Sequence, residues 1–156
     1  MNNSEKYMRT AIKLSVENVY DRGGPFAAII VKDGEIIARG RNRVTVDNDP
    51  TAHAEVSAIR AAAKRLGTFD LSGCEIFTSC EPCPMCLGAI YWAHLDKIYY
   101  GNTKTDAARI GFDDSFIYDE LEKPLEERSI KTIQLLGDEA IEGFEAWERK
   151  TDKIEY

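Results

Sequence analysis

Several features are missing from this sequence, and each absence closes off a class of function. No apolar run approaches the roughly 20 residues needed to span a membrane. The longest strand-like stretch is only Phe26 to Val31. The opening residues, MNNSEKYMRT, lack the basic-then-apolar pattern of an export signal. Secretion is therefore not expected, and the cytoplasm is the expected compartment. Low-complexity tracts, internal repeats and linkers are also missing, and there are only five prolines. A basic surplus is lacking too: 20 Lys and Arg face 27 Asp and Glu, for a net charge of −7. Residues 106–156 hold 15 acids against 7 bases, whereas residues 1–105 hold 12 against 13, so the excess of negative charge sits in the C-terminal third. Nucleic-acid binders generally need a basic footprint to displace counterions from phosphates. Beyond a small group at Arg39, Arg41 and Arg43, this chain has none. The expected partner is a small molecule, with no nucleic acid and no membrane.

What is present suits one folded domain. The 156 residues are 44% apolar with mixed charges, enough for a real core and too few for two domains. Ser4 can cap a first helix whose apolar face runs through Tyr7, Met8, Ala11, Ile12, Val16 and Val19, ending at Gly23-Gly24-Pro25. Phe26 to Lys32 reads as a buried strand, Asp33-Gly34 as a hairpin turn and Glu35 to Arg43 as its return. An Ala-rich helix is predicted from Thr51 to Leu66, closed by Gly67. Strands are predicted over 75–79, 97–101 and 130–136, and helices over 84–93, 115–122 and 139–150. Strands alternating with helices after an opening hairpin imply an α/β domain. The expected architecture is three-layer α/β/α around a mixed five-stranded sheet, with 151–156 as a tail.

Four cysteines are present, and Cys80, Cys83 and Cys86 lie within seven residues. Without an export signal, such crowding reads as metal ligation or redox chemistry rather than a disulfide framework. Cys83 and Cys86, three apart at a helix start, share a face, and the helix N-terminus favours their thiolate forms. His53 supplies a third ligand. Two thiolates and one imidazole suit a single Zn²⁺ with a fourth position left for water, whose pKa such an ion lowers toward roughly 7. Glu55, two residues beyond His53, is placed as a proton carrier without being a ligand. Each piece alone is a weak signal. Together, H-x-E followed by P-C-x-x-C is the pattern of zinc nucleobase deaminases.

The segments TAHAEVSAIRAA and TSCEPCPMCLGAIYWA resemble the cytidine/deoxycytidylate deaminase superfamily. Within it, GGPFAAIIVKDG, the Asn42 region, NDPTAHAEV, GFDDSFIYDELEKP and the terminal Glu-Tyr are similar to the bacterial guanine deaminases. The resemblance implies a cytidine-deaminase-like fold and conversion of guanine and water to xanthine and ammonia. It assigns zinc to His53, Cys83 and Cys86 and proton transfer to Glu55. Asp114 becomes a second acidic group near the amine. The resemblance also implies a pocket with Phe26 stacked on the base, Asn42 and Ala54 at its edge, Trp92 lining it and Tyr156 closing it. A homodimer, with C-terminal segments exchanged between subunits, is implied as well.

The outer residues carry simpler readings beside these. Phe26 suits core packing, Asn42 a turn, Asp114 a helix cap and Trp92 the core. Cys74 reads as a buried free thiol. Two rivals compete at the level of function. One is a closed Cys₃His zinc site, with Cys80 as the fourth ligand, in a binding module. Glu55 argues against it, since a closed site has no use for that carboxylate. The other is a nucleobase deaminase of different substrate, whether tRNA adenosine, cytosine or a triazine. The acidic C-terminal third argues against the tRNA branch.

Overall fold

Alternation along one strand sorts the core into two halves. The computed structural model describes residues 3–156. In strand β1 (Ala27–Lys32), Ala28 and Ile30 point to one face of the sheet, and Ile29 and Val31 to the other. Side chains two apart on a strand share a face, so this buried run feeds both layers. On one side, Ile29, Val31 and Phe77 meet Tyr7, Met8 and Leu14 of helix α1 (Asn3–Tyr20). Phe77 is 1% exposed, stacks on Tyr99 at 4.3 Å and meets Tyr7 edge-on at 5.3 Å. Burying such a ring contributes about 1.5–3 kcal/mol. On the other side, Ala28, Ile30 and Ile76 pack against helices α3 (Ala54–Leu66) and α4 (Pro84–Trp92).

Asp33 and Gly34, both with positive φ, turn β1 into β2 (Glu35–Arg41). A short helix α2 (Val44–Asp47) follows. Strand β3 (Cys74–Cys80) then pairs antiparallel with the other edge of β1, and β4 (Lys97–Asn102) pairs parallel with β3 across the α4 connection. The mixed sheet runs β2-β1-β3-β4. Helix α3 approaches β2 closely because both surfaces are small. Ala54, Ala58 and Ala62 are fully buried, and Gly40 faces the Ala54 carbonyl and the Ala58 amide so tightly that any Cβ there would collide with them.

The sheet has four strands among the described residues, not the five expected. Residues 130–136 form no strand; the chain is irregular there until helix α7 (Gly137–Arg149) begins. Their β-branched residues satisfy a propensity that has content only beside a partner strand, and among the described residues this segment is paired with none. Ile130 and Leu135 stay exposed. Three short elements lie outside the sequence expectations: α2, α5 (Lys104–Arg109) with its Thr103–Asp106 capping box, and a 3₁₀ turn at Leu125–Glu127. Helix α3 starts at Ala54 rather than Thr51, because the Asp49 carboxylate accepts from the Thr51 amide and hydroxyl and holds that segment in a turn. Ser4 lies in the first turn of α1 rather than before it.

The chain divides into two compact units, Met1–Asp114 and Ser115–Tyr156. The first holds the sheet. The second holds α6 (Ser115–Glu122), a 3₁₀ turn at Leu125–Glu127, α7 and the terminal residues. The Glu120 carboxylate ties this unit together, accepting from Lys123, the Ser129 amide and the Ser129 hydroxyl. No helix among the described residues is long and apolar enough to cross a membrane.

Candidate metal centre and active site

Two helices begin at the site, and each gives its N-cap position to a candidate ligand. His53 is the N-cap of α3 and Cys83 the N-cap of α4, both with extended backbone and neither using its side chain to cap. An N-cap side chain ordinarily accepts from the first-turn amides, and here it is released to point elsewhere. Cys86 follows at the third helical position of α4, where a side chain reaches back toward the N-cap. Proline at the first position of α4 loses no hydrogen bond, since that amide has no helical partner.

The result is a compact donor set. His53 Nδ1 lies 3.5 Å from the sulfurs of both Cys83 and Cys86, and all three ligand atoms fall within 4.8 Å of one another. That is the span of three corners of a tetrahedron at Zn–S and Zn–N distances of roughly 2.3 and 2.0 Å. The protonation energetics agree. The two thiols titrate as a unit. The Cys83 thiol is lowered to about 4, chiefly because Cys86 donates to its sulfur and then because His53 does. Cys86 is pushed up because it holds the proton shared with that thiolate, and burial adds to the effect. His53 is raised by its hydrogen bond to Cys83. A site that readily generates a thiolate beside a second thiol and an imidazole is built for a thiophilic cation. Zinc fits this donor set, and among the described residues the set numbers three, the count of a catalytic rather than a closed site.

Glu55, 6% exposed in the first turn of α3, stands beside this centre. Burial pushes its carboxyl above the ordinary range, against hydrogen bonds that favour the charged form. Thr78 of β3 holds it, with Oγ1 3.0 Å from Glu55 Oε1 and also 3.0 Å from the Cys80 carbonyl. Cys80 takes no part in the donor set. Its sulfur is buried and lies 3.8 Å from the Thr103 carbonyl, and burial drives its thiol up to about 11. That placement removes the closed Cys₃His alternative. Cys74 is fully buried and raised by desolvation, a packing thiol.

Sequence reasoning placed the remaining residues unevenly. Phe26 and Asn42 lie at the ends of β1 and β2 and are bridged by an Asn42 N–H to Phe26 carbonyl bond of 3.1 Å. Ala54 is fully buried at the start of α3. Asp114 is half-buried, and burial raises its carboxyl. Trp92 is 67% exposed at the last position of α4, and Tyr156 is 75% exposed in the second unit. Thr78 was missed, and so was Phe112. Phe112 packs edge-on against Phe26, with ring centroids 4.9 Å apart and planes at 89°. It follows Gly111, whose φ of 96° turns the chain there. That glycine, and the segment GFDDSFIYDELEKP in which Phe112 lies, were the available signals.

Residues 1–102 match the cytidine and deoxycytidylate deaminase zinc-binding region. The guanine deaminase of Bacillus subtilis is 55% identical over 155 residues, covering 99% of both chains. Its X-ray structure superposes with a TM-score of 0.96, covering 100% of this chain and 99% of that one. A solved structure in complex with 2,6-diaminopurine is 38% identical, with a TM-score of 0.69 over 71% of this chain and 62% of its own. The tRNA-specific adenosine deaminase of Aquifex aeolicus is 40% identical over 97 residues, 62% of this chain and 64% of its own. The matched region contains both helix starts that carry the donor set, and by that match the chain belongs to the cytidine and deoxycytidylate deaminase family.

Proposed function

We propose that this chain hydrolyses guanine to xanthine and ammonia. The observation that carries the reading is the extent of similarity. The likeness to the Bacillus subtilis guanine deaminase runs through both units, at 55% identity over 99% of each chain. The tRNA adenosine deaminase match, at 97 residues, is too short to contain both His53 and Tyr156. A purine analogue bound to a related structure supports a free base as the ligand.

When bound, zinc supplies Lewis acidity that lets water act as a nucleophile at neutral pH. His53, Cys83 and Cys86 would hold it. The chain's own chemistry falls to Glu55. Its carboxylate, steadied by Thr78, takes a proton as water adds to the ring carbon bearing the amino group. It delivers that proton to the adjacent ring nitrogen, takes the second water proton, and passes it to the amine, which leaves as ammonia. Burial suits Glu55 to both halves of the cycle, because a carboxyl raised above its ordinary range holds a proton better and can still pass it on. Asp114, also raised by burial, is the second acid for the departing amine. Phe26, backed by the Phe112 ring, offers a face to the purine, and Asn42 offers its amide to the edge. Ala54 and Trp92 complete the lining, and Tyr156 with the terminal carboxylate closes it.

The working protein in this reading is a cytoplasmic homodimer of one-domain subunits. No residue of 115–156 is buried, although that unit carries Phe116, Ile130, Leu135, Phe144 and Trp147. Apolar surface on that scale calls for cover, and a second copy exchanging this segment supplies it. Light scattering that returned a monomer mass would remove this part of the reading. The function itself is tested by ammonia release from guanine, adenine, cytosine, cytidine and tRNA, with zinc analysis of the same sample. Guanine turnover with about one zinc per chain is the expected result. Turnover of adenosine in tRNA and none of guanine would overturn it.

A further inference from the structure

We infer that Asn18 is a positioning residue for the purine pocket, setting Asn42 by clamping two chain segments that the sheet itself does not join. The inference rests on the reading of Asn42 as a purine contact. Asn18 lies near the C-terminal end of α1 and is fully buried. Its backbone carbonyl accepts from the amides of Asp21 and Gly23, so the chain turns around it on leaving the helix. Both amide hydrogens of its side chain are used. Nδ2 donates to the Gly24 carbonyl at 2.7 Å and to the Asn42 carbonyl at 2.8 Å.

Those two carbonyls lie where the β1–β2 ladder runs out. Ala27 and Arg41 are its last registered pair, and the Asn42 amide adds one more bond to the Phe26 carbonyl. Past that point no further β1–β2 pair is registered, and one side-chain amide from α1 bonds to both segments instead. The glycines fit this arrangement. A Cβ on Gly23 would collide with the Asn18 amide, and one on Gly24 would sit 3.2 Å from Asn42 Cγ and Oδ1. Gly24 therefore leaves room for the Asn42 side chain, whose Oδ1 accepts from the Val44 amide at 3.3 Å. With its oxygen so engaged, the Asn42 amide keeps its N–H₂ as a donor for which the described residues supply no acceptor. It is a donor held ready for an acceptor on a ring edge.

Asn18 Oδ1, by contrast, is buried without a hydrogen-bond partner among the described residues. A buried polar atom left unpaired is destabilising, and a residue chosen only for packing would not carry it. The group retained at that cost is the N–H₂, the one function that bridges both carbonyls.

The test is steady-state guanine turnover, with zinc content and thermal unfolding as controls, for Asn42→Ala, Asn18→Leu, Asn18→Ser and Gly24→Ala. Asn18→Leu keeps the volume and removes both donors. Gly24→Ala leaves the Asn18 bonds in place and presses the Asn42 amide directly, so it shows whether KM responds to a displaced Asn42. Asn18→Ser, which leaves one donor for two carbonyls, decides the clamp if the leucine variant does not fold. Expected in all four variants is a rise in KM of about tenfold, the scale of one lost polar contact, with kcat within about threefold and zinc unchanged. A raised KM in Asn42→Ala with an unchanged KM in folded Asn18→Leu or in Asn18→Ser overturns the clamp and leaves the pocket reading standing. An unchanged KM in Asn42→Ala overturns the pocket reading, and the clamp with it.

Discussion

Thr78 Oγ1 sits 3.0 Å from Glu55 Oε1 in a fully buried contact between the middle of β3 and the first turn of α3. The same hydroxyl lies 3.0 Å from the Cys80 carbonyl, and its single proton serves one of the two at a time. It donates to Glu55 when that group is a carboxylate. It accepts from Glu55 and donates to Cys80 when Glu55 is protonated. In the proposed reading Glu55 carries protons and must be held in both states, and one threonine is placed to do this without moving. Thr78→Val keeps the shape and removes the hydroxyl. Its kcat for guanine should fall about tenfold or more with KM and zinc content little changed, and Thr78→Ser should recover most of the loss. A fully active valine variant would show that the contact is only packing.

Glu55→Gln is expected to retain zinc and to lose turnover by at least about 10²–10⁴-fold. The amide is nearly isosteric and can still meet Thr78, but it cannot take a proton from water. Metal analysis beside single-turnover kinetics separates the two effects. Loss of the metal would move Glu55 into the donor set instead.

Cys83→Ala and Cys86→Ala should each lose zinc and activity together and unfold at lower temperature, because the ligands tie the start of α4 to the start of α3. Cys80→Ser should keep its zinc, since its sulfur faces the Thr103 carbonyl and not the donor set. Zinc retained in either alanine variant, measured by atomic emission, would mean the wrong thiols were chosen.

The donor set was legible because its spacing is local. An N-cap and the third helical position meet through helix geometry alone, and His53 and Glu55 share the start of one short segment. The hairpin was legible from Asp33-Gly34, and α6 from Ser115 to Glu122. Residues whose role depends on distant neighbours could not be read. Thr78 looks like any strand threonine until α3 is packed against β3. Asn18 looks like a polar position near a helix end until the carbonyls of Gly24 and Asn42 arrive. Phe112 meets Phe26 only because Gly111 turns the chain. The missing strand at 130–136 fails for the same reason in reverse. Its residues suit a strand, but β-propensity is realised only against a partner, and the sheet runs β2-β1-β3-β4 without this segment.

Cys80 supplies a pH test outside the donor set. Burial raises its thiol from the ordinary 9.0 to about 11. A group held protonated by the fold adds nothing below the unfolded value and opposes folding above it, so stability should fall as pH rises from about 9 through 11. Urea midpoints at pH 8 and pH 10.5 should separate further in the parent than in Cys80→Ser. Iodoacetamide at pH 8 should leave Cys80 unmodified in the folded protein, as only about one thiol in a thousand is ionised there. Rapid alkylation of Cys80 in the native state would contradict its burial.

The final prediction concerns the chain end. Lys153 Nζ donates to the carbonyls of Glu148 at 3.1 Å and Trp147 at 3.4 Å, closing the last turn of α7. Lys150 pairs with Asp152 at 2.7 Å. The helix end is therefore complete without Ile154, Glu155 and Tyr156. Those three residues nevertheless alternate apolar, charged and aromatic side chains, as an extended segment docking one face would. Ile154 and Tyr156 are 69% and 75% exposed. In the proposed reading this segment closes over the purine, excluding water and offering the Tyr156 ring and terminal carboxylate to the N–H groups of guanine. Removing residues 154–156 should cut guanine turnover at least about tenfold while leaving circular dichroism, zinc content and the Lys153 bonds to α7 intact. Unchanged turnover in the truncated protein would sink the lid and leave the zinc chemistry untouched, because His53, Glu55, Cys83 and Cys86 all lie within the first unit.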